Sequence, residues 1–373
     1  MVSPDKIDLK ILLVITGLGV GGAERLVTSL ADRFAALGHE VLLIRLQGSA
    51  ELRPLHAEVK METLGIRRNP ISLLVGMLKL GRLIKAFQPD VVNSHLIHAN
   101  ILVRFLRIFL PMRRLISSAH NNNEGGKARM LAYRVTDWLA DISTNVSYAA
   151  VKAFEEKKAV PRGRMLVVHN GIDTDLFGYE VDVRQQIRND LDLPEEVSLI
   201  LAVGRLSAPK DYPNLLQAFS HLCQSESEIK LCIVGDGPLR NEIEDMAVSL
   251  GVRSRILFLG VRHDVSALMS ACDCFVLSSA WEGFGLVVAE AMACERLVVA
   301  TDCGGVREVV GDAGFLVCPR DADALAAAIK SVLELPEERK RSLGRSARKR
   351  VIERYSFDVT AERYLAIYRT SLL

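Results

Sequence analysis

Short runs of consecutive apolar residues alternate along nearly the whole chain with longer stretches in which apolar positions recur every three to four residues. Unbroken apolar runs predict strands buried on both faces, and the longer stretches predict the helices that cover them. Together they are the sequence form of repeated βα units around a parallel sheet. In the first half the predicted strands are 11–16, 41–46, 90–94, 115–119, 141–146 and 165–169, with the clearest helices at 23–37, 71–87 and 127–139. The pattern restarts with strands at 198–204, 230–235, 256–259, 274–278, 297–301 and 314–317. The expected architecture is α/β, two Rossmann-like doubly wound domains facing each other across a cleft. The turn-rich, charged segment from His169-Asn-Gly-Ile-Asp to about Pro194 reads as the linker, giving domains 1–175 and 176–350. A helical tail, 351–373, carries Tyr364-Leu-Ala-Ile-Tyr, an apolar spacing suited to packing back on the first domain.

Ligands of doubly wound sheets bind beyond the carboxyl ends of the strands, so chemistry is expected just after the predicted strands. The first strand is followed by Gly17-Leu-Gly19-Val-Gly21-Gly22, a G-x-G-x-x-G opening a helix, where backbone N–H groups can receive a phosphate. That pattern also fits an NAD site or a purely structural turn. The second strand ends Ile44-Arg-Leu-Gln-Gly48 with no carboxylate, which counts against NAD. The fourth predicted strand runs into Ala119-His120-Asn121-Asn122-Asn123, placing His120 to touch substrate, with His95 and His98 placed similarly after the preceding strand. A buried structural histidine is the competing reading.

In the second half, Arg205 and Lys210 share one strand-to-helix loop, and two cations there can clamp a diphosphate, Arg by paired hydrogen bonds and Lys as a point charge. The competing reading is a pair of solvated loop cations. The sharpest cluster is Glu282-Gly283-Phe284-Gly285-Leu286-Val287-Val288-Ala289-Glu290. Its glycines leave a helix start uncovered, so the N–H groups of Gly285, Leu286 and Val287 can meet an anion. Glu290, one turn past Leu286, suits sugar hydroxyls rather than phosphate, because like charges repel. Three D-x-D triplets, at 173–175, 190–192 and 321–323, fit turns and helix caps better than a metal site, and no metal or cofactor is expected.

Composition adds bounds. With 373 residues, 49% hydrophobic and 25% charged, the chain is that of an ordinary globular protein, and a net charge of +2 gives no general field for nucleic acid. The charge is uneven, however: between Lys60 and Arg114 ten Lys/Arg face only Glu62 and Asp90. Lys79, Arg82 and Lys85, then Arg104, Arg107, Arg113 and Arg114, interleave with large apolar residues as an anionic-membrane contact over 71–114 would, or as a core-packed helix with a solvated basic face. The seven cysteines include no C-x-x-C pair and read as reduced residues of a cytoplasmic protein. No apolar run reaches the roughly 18 residues of a membrane span, and Lys10-Ile-Leu-Leu-Val-Ile reads as a buried strand rather than a signal peptide.

Taken in order, Gly21-Gly22-Ala-Glu24-Arg25, His169-Asn170-Gly171-Ile-Asp173 with Phe177, Val203-Gly204-Arg205-Leu206 with Lys210, Val234-Gly235-Asp236-Gly237-Pro238, Phe258-Leu-Gly260 and Glu282-x7-Glu290 resemble the retaining, sugar-nucleotide-dependent glycosyltransferases of family 4, of bacterial surface-polysaccharide type. Each motif is weak alone, and their order and spacing over the whole chain carry the resemblance. It implies the two-domain GT-B fold, with the first domain binding acceptor and the second a nucleotide sugar, foremost a UDP-sugar. By the same resemblance Arg205 and Lys210 stabilise the leaving diphosphate in place of a metal, Glu290 binds ribose and Glu282 lies near the donor sugar. Gly22 approaches the diphosphate and His120 contacts the sugar. The run Asn121-Asn122-Asn123 departs from the acidic or aromatic neighbour common in the family, which bears on the identity of the sugar. The acceptor implied is a saccharide, foremost a lipid-linked one, met at the inner face of the cell membrane. A sugar-nucleotide epimerase or NAD-linked oxidoreductase, and a non-catalytic nucleotide-sugar-binding relative, are the alternatives.

Overall fold

The computed structural model describes residues 8–370 apart from Val20, Asn123 and Ser227. The chain divides into two compact units, the first comprising residues up to Gly171 together with those from Phe357 onward, the second Ile172–Ser356. In chain order the first unit contains β1 (Lys10–Ile15), α1 (Gly22–Ala36), β2 (Glu40–Arg45), β3 (Lys60–Thr63), α2 (Pro70–Phe87), β4 (Val91–His95), α3 (Ile97–Leu106), β5 (Leu115–Ser118), α4 (Lys127–Thr136), β6 (Ile142–Asn145), α5 (Tyr148–Glu156) and β7 (Met165–Val167). All seven strands pair in parallel in the order β3-β2-β1-β4-β5-β6-β7. β1 shows why its sequence is apolar throughout. Ile11, Leu13 and Ile15 enter one core and Leu12 and Val14 another, so both faces of the sheet are covered.

The second unit runs α6 (Val181–Asp190), β8 (Ser198–Val203), α7 (Tyr212–Ser225), β9 (Ile229–Val234), α8 (Arg240–Ser249), β10 (Ile256–Gly260), α9 (Val265–Ala271), β11 (Cys274–Leu277), α10 (Leu286–Ala293), β12 (Leu297–Thr301), α11 (Val306–Val310), β13 (Phe315–Val317), α12 (Ala322–Leu333) and α13 (Glu337–Tyr355). Its six strands are again all parallel, in the order β10-β9-β8-β11-β12-β13. The last helix, α14 (Phe357–Arg369), returns to the first unit. Its Ala361, Tyr364, Leu365 and Tyr368 join the core beneath α1, and Tyr368 receives a 2.7 Å hydrogen bond from Asn93 on β4.

Strand order reverses between β1 and β4 in the first sheet and between β8 and β11 in the second. These are the points where connections leave for opposite sides and a crevice opens at the strand ends. The predicted strands all occur, within a residue or two. β3 is the addition, an edge strand of alternating character (Lys60-Met-Glu-Thr63) that is only half-buried and so lacks the apolar run of a central strand.

Two cations of the basic block lie inside the fold. Arg104 is fully buried and Arg114 nearly so. The Arg104 guanidinium donates to Ser117, Thr136 and Ser143 and lies 3.6 Å from Asp137, so its charge is spent inside the fold. Arg107 pairs with Asp141, Arg113 with Asp90 and Lys79 with Glu62. The surface of this region keeps exposed cations, Arg67, Arg68, Arg82, Lys85 and Arg113, beside exposed apolar side chains. On α2, Ile71, Leu74, Val75 and Leu78 share one helix face and are each more than half exposed, and Phe105, Ile108 and Phe109 are exposed at the end of α3. The opposite face of α2, with Leu80 and Ile84, enters the core.

Candidate functional site

In the second unit, the loop after β8 and the loop after β11 are stitched together. The Ala280 N–H donates to the Pro209 carbonyl and the Ser278 hydroxyl to the Lys210 carbonyl, both at 2.9 Å. This brings Lys210 and Glu282 side by side although 72 residues separate them: Lys210 Nζ lies 2.5 Å from Glu282 Oε1, which also accepts from the Ser279 hydroxyl at 2.8 Å. Arg205, on the same loop as Lys210, is exposed. No hydrogen bond or ion pair of its guanidinium occurs among the described residues. The Tyr212 hydroxyl donates to the Gly204 carbonyl at 3.0 Å and fixes the start of that loop.

Beyond Glu282 the chain turns through Gly285, at φ +90°, into α10. The first bonds there are donated by Val288 and Ala289 to the Gly285 carbonyl, which leaves the N–H groups of Leu286 and Val287 ahead of the helical ladder and directed outward. Glu290 lies one turn further on and is buried, with 8% of its surface exposed. The segment Glu282–Glu290 thus sits at the β11 end of the switch point and the Arg205–Lys210 loop at its β8 end. The glycines 235 and 237 after β9 close the third side: a Cβ on either would strike a backbone carbonyl oxygen, that of Gly204 or Leu206.

In the first unit the glycine loop enters α1 at Gly22, with Gly21 as its N-cap. Val20 lies outside the described residues. A Cβ on Gly21 would meet the Glu24 carboxylate, which therefore covers the start of the helix, and burial pushes the pKa of that carboxyl up. His120 is half-buried beyond β5, and its ring meets that of His95, the last residue of β4. His98 faces solvent from α3 and is not part of this pair. Asn121 and Asn122 follow His120 in the loop, and Asn123 lies outside the described residues.

Three partners escaped the sequence reading. Ser279 holds Glu282, Tyr212 holds the Gly204 loop, and Glu124 accepts the backbone N–H of His120 at 3.1 Å. Only Glu124 left a sequence signal, a lone carboxylate four residues past His120. Two of the D-x-D triplets resolve as local structure: Asp173 accepts from the N–H groups of Asp175 and Leu176, and Asp321 caps α12 by accepting from Ala324. Among the described residues no group of three His, Cys, Asp or Glu side chains could hold a metal ion. All seven cysteines are free, and no helix of the described residues is long and apolar enough to cross a membrane.

Comparison with known proteins bears on the same residues. Residues 20–176 match the family model described as Glycosyltransferase Family 4, and residues 183–350 match that described as Glycosyl transferases group 1. The alpha-maltose-1-phosphate synthase of Mycolicibacterium smegmatis is 31% identical over 264 residues, 64% of this chain and 67% of that one. The chain belongs to glycosyltransferase family 4. An N-acetylgalactosamine-N,N'-diacetylbacillosaminyl-diphospho-undecaprenol 4-alpha-N-acetylgalactosaminyltransferase of Campylobacter jejuni is 26% identical to this family 4 enzyme, over 89% of this chain and 92% of that one. A crystal structure of Anabaena HepE in complex with UDP and glucose superimposes with a TM-score of 0.84 at 24% identity, covering 98% of this chain and all of that one. The two parallel sheets are those of the GT-B fold, and the enzyme is a glycosyltransferase that uses a nucleotide-sugar donor. Membership removes the oxidoreductase and epimerase alternatives.

Proposed function

We propose that this family 4 glycosyltransferase transfers a hexosyl or N-acetylhexosaminyl group from a UDP-sugar to a hydroxyl of a lipid-linked saccharide, with retention and without a metal. One observation carries the reading: Arg205, Lys210, Glu282 and the uncovered first turn of α10 converge at the carboxyl ends of β8 and β11. Two cations and two outward N–H groups make a receptor for a diphosphate, and Glu290, set back along α10, is the carboxylate for ribose hydroxyls. The C1–O bond to the diphosphate breaks as the acceptor oxygen bonds to C1 from the same face. The acceptor proton passes to the departing phosphate oxygen, so no carboxylate nucleophile is required. Arg205 and Lys210 stabilise the charge that develops on that diphosphate, the service a metal would otherwise supply. The UDP and the lipid-linked acceptor are supported by the named ligand of the Anabaena protein and the named substrate of the Campylobacter enzyme.

Titration calorimetry with UDP, GDP, ADP and NAD in EDTA tests the donor site. UDP alone is expected to bind, in the micromolar range typical of enzyme substrates. Binding only after Mn²⁺ is added, or binding of another nucleotide in preference to UDP, rejects the metal-free UDP site.

The acceptor side concerns α2. Its exposed stripe Ile71, Leu74, Val75 and Leu78 continues on the same face into Arg82 and Lys85, an apolar strip with a cationic end that fits an anionic bilayer surface. Serine at positions 71, 74 and 78 together is expected to weaken binding to phosphatidylglycerol vesicles at least tenfold, since each buried leucine-sized side chain contributes about 2 kcal/mol. Equal sedimentation of parent and variant with these vesicles removes the membrane from the proposal.

A further inference from the structure

Trp281 stands between two fixed points of the loop after β11. Before it, the Ala280 N–H is held by the Pro209 carbonyl at 2.9 Å. After it, Glu282 is held by Lys210 at 2.5 Å and by the Ser279 hydroxyl at 2.8 Å. Ser279 is anchored in turn, its carbonyl accepting from the Thr301 hydroxyl at 2.6 Å. A side chain on this loop is therefore carried on a support that is set before any ligand arrives.

The fold leaves much of the indole uncovered. Phe284, three residues on, is buried and packs edge-on against Tyr355, with 5.4 Å between ring centroids. Trp281 is 44% exposed, and its indole makes no hydrogen bond or ring contact among the described residues. Tyr179, Phe258 and Phe315 are half-buried and the other aromatic side chains of the second unit are buried, so among the described residues of that unit Trp281 is the exposed aromatic. A lone apolar side chain on a surface is ordinary. This one is the largest apolar face a side chain offers, and its chain neighbour is the Glu282 that pairs with Lys210.

The direction of the donor loop identifies the part of the ligand that reaches the ring. Glu290 lies inside α10, the uncovered N–H groups of Leu286 and Val287 precede it, and Glu282 and Trp281 lie at the other end of the same segment. A nucleotide sugar with its ribose at Glu290 and its diphosphate at those N–H groups carries its sugar toward Glu282 and Trp281, and its base away from them. A hexopyranose has hydroxyls around its rim and a patch of C–H groups on its face, and an aromatic ring covers such a patch while polar groups beside it take the hydroxyls.

We infer that Trp281 is a contact residue for the transferred sugar, its indole lying against the apolar face of the pyranose. The inference rests on the reading of Glu282–Glu290 as the donor site and adds the group that distinguishes a UDP-sugar from UDP.

Trp138 and Trp281 are the two tryptophans of the chain, and Trp138 is exposed in the first unit, so Trp138→Phe leaves Trp281 as the sole indole emitter. Acrylamide quenching of that emission, in EDTA and without acceptor, is read with UMP, UDP, UDP-glucose, UDP-galactose and the two UDP-N-acetylhexosamines. The UDP-sugar that binds is expected to shield Trp281, and UMP and UDP to leave it open. In calorimetry Trp281→Ala is expected to weaken that UDP-sugar about tenfold and UDP less than about twofold, with Trp281→Tyr recovering most of the loss. Shielding by UMP or UDP as strong as by the UDP-sugar puts the base or the diphosphate on the ring and overturns the inference. So does a bound UDP-sugar that leaves Trp281 open, a result that needs no variant at position 281. An equal loss of UDP and UDP-sugar in Trp281→Ala also overturns it, because the side chain then only holds the loop. If neither UDP nor any UDP-sugar binds the parent protein, the donor-site reading itself falls and takes the role of Trp281 with it.

Discussion

Replacing Arg205 by Ala is expected to lower donor turnover by about 10²- to 10³-fold, the usual effect of removing one preorganised group that meets developing charge, while leaving the melting temperature within about 2 °C of the parent. The asymmetry follows from the guanidinium being exposed, with no hydrogen bond or ion pair among the described residues, so the fold loses nothing with it. Arg205→Lys is expected to recover little, because a single ammonium cannot make the paired hydrogen bonds of a guanidinium. Lys210 differs. Its ammonium already sits against Glu282, and Lys210→Ala leaves a half-buried carboxylate, held by Ser279, in the place a diphosphate must approach. The loss of turnover in Lys210→Ala should therefore exceed that in Arg205→Ala, and Lys210→Ala/Glu282→Gln should recover part of it by removing the repulsion. Steady-state UDP release measures all four. Turnover within threefold of the parent in both single variants would mean that the leaving group is bound elsewhere.

The contrast between these two cations also shows where sequence reading stops. Both were visible as chemistry-bearing residues because they follow an apolar strand and precede a helix start, and the parallel order of the sheets is implicit in the βα alternation. The Lys210–Glu282 pair was not visible, because it depends on β8 and β11 being neighbours across a reversal of strand order that no local pattern encodes. His95 and His120 meet for the same reason, through the register of β4 with β5. Arg104 shows the opposite failure. In one dimension it belongs to a basic, apolar-flanked block, and only the convergence of Ser117, Thr136, Asp137 and Ser143 from separate segments turns it into a buried group. The exposed stripe of α2 was hidden because that helix is apolar on both sides, so periodicity could not say which side faces solvent.

Gly304→Ala is the substitution expected to couple stability and activity most strongly. Gly304 follows β12 at φ +54°, and a Cβ there would press into the backbone of Glu282, 2.8 Å from its carbonyl carbon and closer still to its oxygen. Backbone cannot swing aside as a side-chain end does, so the Glu282 loop has to move. The Thr301 hydroxyl resists this movement by donating to the Ser279 carbonyl at 2.6 Å. The expected destabilisation is about 2–4 kcal/mol, left-handed strain plus overpacking. Displacement of Glu282 by even an ångström moves its partner Lys210 and is expected to cost about 10²-fold in donor turnover. Gly163→Ala is the control: its φ is +73°, yet no atom lies within 4 Å of the added Cβ, so it carries the strain of about 1–2 kcal/mol without the collision and should turn over donor normally. Thermal melts and UDP release on the two variants separate the terms. Equal behaviour of Gly304→Ala and Gly163→Ala would show that the β12 loop yields to the methyl group, and that the placement of Glu282 does not depend on the glycine.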